Sequence, residues 1–141
     1  TLSNWCWGRG YVKNIAAAIS HCLNKESTSS AVFNLGDPVA LSEARWVEHI
    51  AGMAGWQGKI VIVPDDQLPD PLKVPFNATQ NWTIDASRFR SETGFAEPFT
   101  LEESLAETTA WLRENPPSVS AEQVERWQRE DEAEDRWLAG T

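Results

Sequence analysis

Apolar side chains return every three or four residues in several stretches of the chain, and each stretch predicts an amphipathic helix. Over residues 13–23, Ile15, Ala18, Ile19, Cys22 and Leu23 share one face, and Asn14 is placed to cap the start. Ser42 opens a second helix that runs to about Ala54, with Trp46, Val47, Ile50, Ala51 and Ala54 as its buried stripe. Gly55 closes it, because glycine enters the left-handed conformation without a Cβ clash. Asp85 caps a short helix over 86–93 that Gly94 ends. Thr100 and Glu103 have capping-box spacing for a helix to about Glu114, with Leu101, Leu105, Thr108 and Leu112 on one face. A last helix over 120–138 carries its own box, Ser120 and Gln123, and apolar positions only near its ends: Val124, Trp127, Trp137 and Leu138. That pattern predicts either a solvated helix docked at two places or a contact with another lobe or subunit.

Strand signals are shorter. Residues 31–35 and 59–63 are brief apolar runs, the first ended by Gly36-Asp37-Pro38 and the second by Pro64. Residues 82–84 read as extended, and residues 1–10 as a strand with a loop. Residues 26–30 form a polar turn. The stretch 64–81 holds four prolines and no period, a length that in compact domains marks a functional or mobile loop. The expected fold class is α/β, mostly helical with a few short strands. Residues 1–117 form one lobe, and residues 118–141 an acidic C-terminal helix.

The 141 residues suffice for one domain with a core, and 41% hydrophobic with 23% charged content is that of a globular protein. A net charge of −9 should repel phosphate backbones, so nucleic acid is not an expected partner. No apolar stretch is long enough to cross a bilayer, and no membrane partner is expected. With Cys6 and Cys22 alone, a disulfide framework is excluded; free buried thiols in a cytoplasmic protein are the reading preferred over a single bridge. Eight tryptophans could fill buried faces or mark a contact surface. Asn77-Ala78-Thr79 and Asn81-Trp82-Thr83 match the glycosylation acceptor pattern and are read as ordinary loop residues.

Chemistry is harder to find. His21 and His49 lie on different helices, and no Cys/His cluster accompanies them, so no metal is expected. There is no Gly-x-Ser-x-Gly nucleophile elbow. A dinucleotide loop must follow a strand and open a helix; the glycines at 52, 55 and 58 close one instead, and Gly8-Arg9-Gly10 lacks the full pattern.

Four segments nevertheless stand in a familiar order. Gly10-Tyr11-Val12 through Ile19 resembles the "Tyr-Val … Val-Ala-x-Ala-Ile" segment of extended short-chain dehydrogenases, and Val32-Phe33-Asn34-Leu35-Gly36 resembles their "Tyr-Asn-Ile-Gly" strand. Ile84-Asp85-Ala86-Ser87-Arg88-Phe89, with Glu92-Thr93-Gly94-Phe95 and Pro98, is similar to their "Asp-x-Ser-Lys-Ile … Glu-Leu-Gly-Tyr-x-Pro" signature. Residues 100–115 resemble their closing helix. The likeness covers about residues 8–117 and implies the C-terminal, substrate-binding lobe of an NAD-dependent epimerase/dehydratase.

The family's Gly-rich loop and its Tyr-x-x-x-Lys pair are absent, since Ile15 stands four residues after Tyr11. The resemblance therefore implies a lobe without catalytic residues, inactive alone and binding no cofactor. Its partner would be the N-terminal Rossmann half of the same polypeptide, which would hold NAD or NADP. The start at Thr1 is read the same way, as a piece of a longer chain. Arg9, two residues from Trp7, would stand in for a substrate-binding arginine, and the two share a face if the segment is extended. The resemblance implies a nucleotide sugar or a related polar small molecule as substrate; no arginine lies in residues 77–82 and Lys73 is the nearest cation, so the paired cations that a diphosphate wants are missing. The residues expected to line its cleft are Arg9, Tyr11, Lys73, Gln80, Asn81 and Trp82. A homodimer is a candidate assembly. The competing reading is a non-enzymatic interaction module that uses the tryptophans and the acidic helix.

Overall fold

A computed structural model describes residues 2–23, 25 and 31–140. The chain is helix-rich. Among the described residues it forms α1 (Val12–Leu23), α2 (Glu43–Ala54), α3 (Ser87–Thr93), α4 (Leu101–Glu114) and α5 (Ala121–Gly140), with single 3-10 turns at Leu2–Asn4, Asp65–Gln67 and Asp70–Leu72. The polar turn expected at 26–30 lies outside the described residues.

Local chemistry fixes the helix ends. Ser42 Oγ accepts the Arg45 amide at 3.4 Å, and Gly55 closes α2 at φ 71°. Thr100 and Glu103 complete their box in both directions, at 3.2 and 2.8 Å. Ser120 Oγ accepts the Gln123 amide at 3.2 Å. Asp85 lies one residue ahead of the cap position of α3, but its carboxylate accepts the Ser87 amide at 2.8 Å. The Ser87 hydroxyl and this amide together hold the Asp85 carboxyl below its usual range. Arg113 in the last turn of α4 donates to the Ala54 carbonyl at the end of α2 (2.8 Å), a cation on a helix C-terminus.

The expected strands fare differently. Among the described residues, β pairing is limited to two isolated bridges, Cys6 with Ser42 (antiparallel) and Trp7 with Trp82 (parallel). Residues 31–35 and 59–63 join no ladder there. An apolar run supplies only the side-chain half of a strand, and the backbone half needs a neighbouring segment. Around the first run the backbone groups meet other partners: the Asp37 amide donates to Arg9 O (2.8 Å), and Arg90 donates to Gly36 O (2.6 Å).

Burial also departs from expectation. Within α1 the buried residues are Asn14 and Ala18, while Ile19 is 53% exposed and Leu23 83%. Of the stripe expected inside, Ala18 is buried, Ile15 and Cys22 are partly covered, and Ile19 and Leu23 face outward. Asn14 is no N-cap. It donates to Phe99 O (2.9 Å) and accepts from Phe99 N (3.1 Å), which pins α1 to the entrance of α4. No residue of α2 is buried, so the stripe from Trp46 to Ala54 is at most partly covered. On α4 only Ser104 and Leu105 are buried; Thr108 and Leu112 are exposed. The run 60–63, expected to be buried, lines an open groove with Val47 and Leu72. Cys6 and Cys22 are thiols, each partly buried.

The core is small and aromatic. Phe89 packs against Phe33 and Phe95 at centroid distances of 5.4 and 5.2 Å, and His21 meets Phe95 edge-on at 5.5 Å. Total accessible surface is 10014 Å², against about 7,300 Å² expected for a compact monomer of this mass. Exposed aliphatic and indole side chains account for part of the excess, from Val12, Ile19 and Leu23 to Trp56 and Trp111. No helix among the described residues is long and apolar enough to cross a membrane.

Candidate functional site

The first ten residues run beside residues 80–84. Trp82 N donates to Cys6 O (2.9 Å) and Gly8 N to Trp82 O (2.8 Å). Gly8 is needed for this approach, because a Cβ there would sit 2.7 Å from Ile84 Cγ1. Asn81 Oδ1 accepts the Cys6 amide at 2.9 Å, and Trp5 Nε1 donates to Gln80 O at 2.9 Å. Two of the expected cleft residues, Gln80 and Asn81, therefore serve to fasten the backbone.

On this scaffold sits an aromatic cluster. Buried Trp5 stacks on Trp7 at 6.0 Å, meets Trp82 edge-on at 5.4 Å and touches Phe76 at 5.0 Å. The Arg9 guanidinium lies 4.3 Å from the ring centroids of both Trp7 and Trp46. Its charge is matched by Glu43, in the first turn of α2, at 2.6 Å. Trp7 Nε1 donates to the same carboxylate. The Arg9 side chain is 14% exposed and that of Glu43 23%, so the pair is well shielded. Trp7 and Trp82 keep 41% and 52% of their surface free. The result is an indole face backed by a cation whose charge is already balanced. Such a face can stack a flat or apolar surface and offer the remaining guanidinium N–H groups to an acceptor.

The other expected residues lie elsewhere. Tyr11 turns to α4: its hydroxyl and Lys13 Nζ both donate to the Glu107 carboxylate, and its ring meets Phe99 edge-on at 5.6 Å. The Glu107 bond holds the Tyr11 hydroxyl and the Lys13 ammonium above their ordinary ranges, and the same two donors hold Glu107 below its own. Lys73 closes its 3-10 turn onto Asp70 at 2.8 Å and depresses that carboxyl. Among the described residues the structure thus gathers Arg9, Gln80, Asn81 and Trp82 and leaves Tyr11 and Lys73 apart.

No family model, curated protein or solved structure matches the chain.

Four members of the cluster were not expected from sequence: Trp5, Glu43, Trp46 and Phe76. Glu43 reads as a first-turn acid that favours the helix dipole, and nothing in its spacing shows that it reaches Arg9. The tryptophan count was the one available signal, and it did not say which indoles meet.

Proposed function

We propose that the chain is the substrate-binding lobe of an NAD(P)-dependent epimerase/dehydratase, and that the Trp7–Arg9–Trp82 face is part of its substrate cleft. One observation carries this reading. The four segments that resemble the family, distant in sequence, are the ones that hold one another in space. Asn34 of the second segment donates to Asp85 O of the third (3.4 Å), and Tyr11 of the first donates to Glu107 of the fourth. Phe33 packs on Phe89, Gly36 abuts Ile84, and Asn14 brackets Phe99 at the entrance of the closing helix. The accessible surface, well above that of a compact monomer, supports a complementary half that covers part of this lobe.

Two glycine positions of the candidate phosphate loops are otherwise engaged. Gly55 terminates a helix, with its N–H bonded back into α2, and the Gly8 N–H is committed to Trp82 O. The glycines at 52–58 therefore stand at a helix C-terminus and not at the N-terminus that a pyrophosphate needs. This lobe would select and orient a polar small molecule, a nucleotide sugar or a relative of one, while the other half holds NAD(P) and exchanges the hydride.

Titrating NADH and NADPH into the 141-residue chain by calorimetry should give no saturable heat. The coding sequence ahead of Thr1 should supply a strand, a Gly-rich loop and a Tyr-x-x-x-Lys pair, and the longer protein should bind the nucleotide. Turnover with NAD(P) by the 141 residues alone would sink the proposal, as would an upstream sequence lacking those elements.

A further inference from the structure

Beyond the indole face lies a groove between the loop at residues 37–41, α2 and the first turn of α4. It encloses about 470 Å³, within the size range of small-molecule sites. Its walls are mainly apolar, supplied by Val39, Leu41 and Phe99 among others. Three ionisable groups on that wall have few commitments. His49 and Glu102 make no hydrogen bond or ion pair to the described residues, and Asp37 accepts only the Tyr11 amide, at 3.4 Å. A further carboxylate in the groove, Glu97, is already bound to Arg90 (2.7 Å). No lysine or arginine lines it.

We infer that this groove binds a small amphipathic amine, its ammonium group on Asp37 and Glu102 and its apolar body against Val39 and Phe99. The charge balance decides the class of ligand. An anion would meet carboxylates and no wall cation, and the helix N-terminus that might attract it is already served by the Thr100–Glu103 box. A neutral apolar ligand would desolvate two carboxylates with nothing in return. A metal ion is disfavoured, since no three His, Cys, Asp or Glu side chains of the described residues come close enough to hold one. An ammonium answers the carboxylates with charge-assisted hydrogen bonds. His49 adds an imidazole to the same wall.

The probe is phenethylamine, titrated into the 141-residue chain while the two histidine Cε1–H resonances are followed by NMR and assigned with His49→Gln. Saturable movement of the His49 signal, with His21 unmoved, is expected. 3-Phenylpropionate, similar in body and opposite in charge, should leave both signals in place. Asp37→Asn with Glu102→Gln should weaken the amine about tenfold or more. Glu102→Gln alone, at an exposed first-turn position that cannot threaten folding, should weaken it about threefold. The inference is overturned if the amine does not move His49, if the carboxylate binds as well, or if Glu102→Gln and the double variant both bind like the parent.

Discussion

The body built from α1, α3 and α4 and the helix α5 stay folded for different reasons. The body is held by contacts between distant segments: Phe89 is 2% exposed among Phe33 and Phe95, and Thr93 is 1% exposed. The 20-residue α5 buries a single alanine, Ala133. It carries its own support along its length, with Arg126–Glu130 and Glu125–Arg129 ion pairs at i,i+4 spacing. Long-range packing makes the first region cooperative. Short-range pairing leaves the second free to form or fray without the rest.

The comparison can be broken at several strengths. Phe89→Ala removes the centre of the aromatic core and should cost about 3–5 kcal/mol, read as loss of the cooperative transition in urea. If the body survives it, the core is not where stability resides. Asn14→Ala leaves the Phe99 N–H and C=O without their partner and should cost about 2 kcal/mol, with amide exchange rising first at the α1–α4 contact. Acid provides a third probe. Glu107 has its pKa lowered by Lys13 and Tyr11, so the stability it contributes is complete above its ordinary 4.5 and is lost as pH falls through the depressed value. Glu107→Gln should lower the melting temperature in the neutral region, flatten the acid limb in a thermal-melt series and converge with the parent at low pH. Arg126→Ala on α5 should cost less than about 0.5 kcal/mol and leave the main transition in place. A large shift there would mean that α5 belongs to the cooperative body.

What could be read from the sequence divides along the same line. Helix ends were legible, because Ser42, Gly55, Gly94, Thr100 and Ser120 act on amides within a turn or so of themselves. Of the four strand signals, 1–10 and 82–84 meet in a single bridge and 31–35 and 59–63 join no ladder, because pairing depends on a second segment that no local pattern names. Asn14 shows the limit most clearly. Its type and place suit a cap, and only the three-dimensional approach of Phe99 makes it a two-way clamp. The stripe from Ile15 to Leu23 finds the face that buries Ala18, but not that its edge, Ile19 and Leu23, stays outside the core. At the site, Arg9 and Trp82 were within reach of motif reasoning. Glu43 and Trp46 arrive from another helix and were not.

The fastening of the N-terminal strip to residues 80–84 bears on how the molecule comes into being. Trp5 bonds to Gln80 and Cys6 to Asn81 across 75 positions, and Asn14 to Phe99 across 85. Closing loops of that size is entropically slow, and nothing is gained until both ends have arrived. During vectorial synthesis residues 2–10 must therefore wait, their indoles uncovered, until residues 80–84 have emerged. The helices can coil early on their own caps. The indole face can be assembled only afterwards, when the segment around Trp82 comes to meet it.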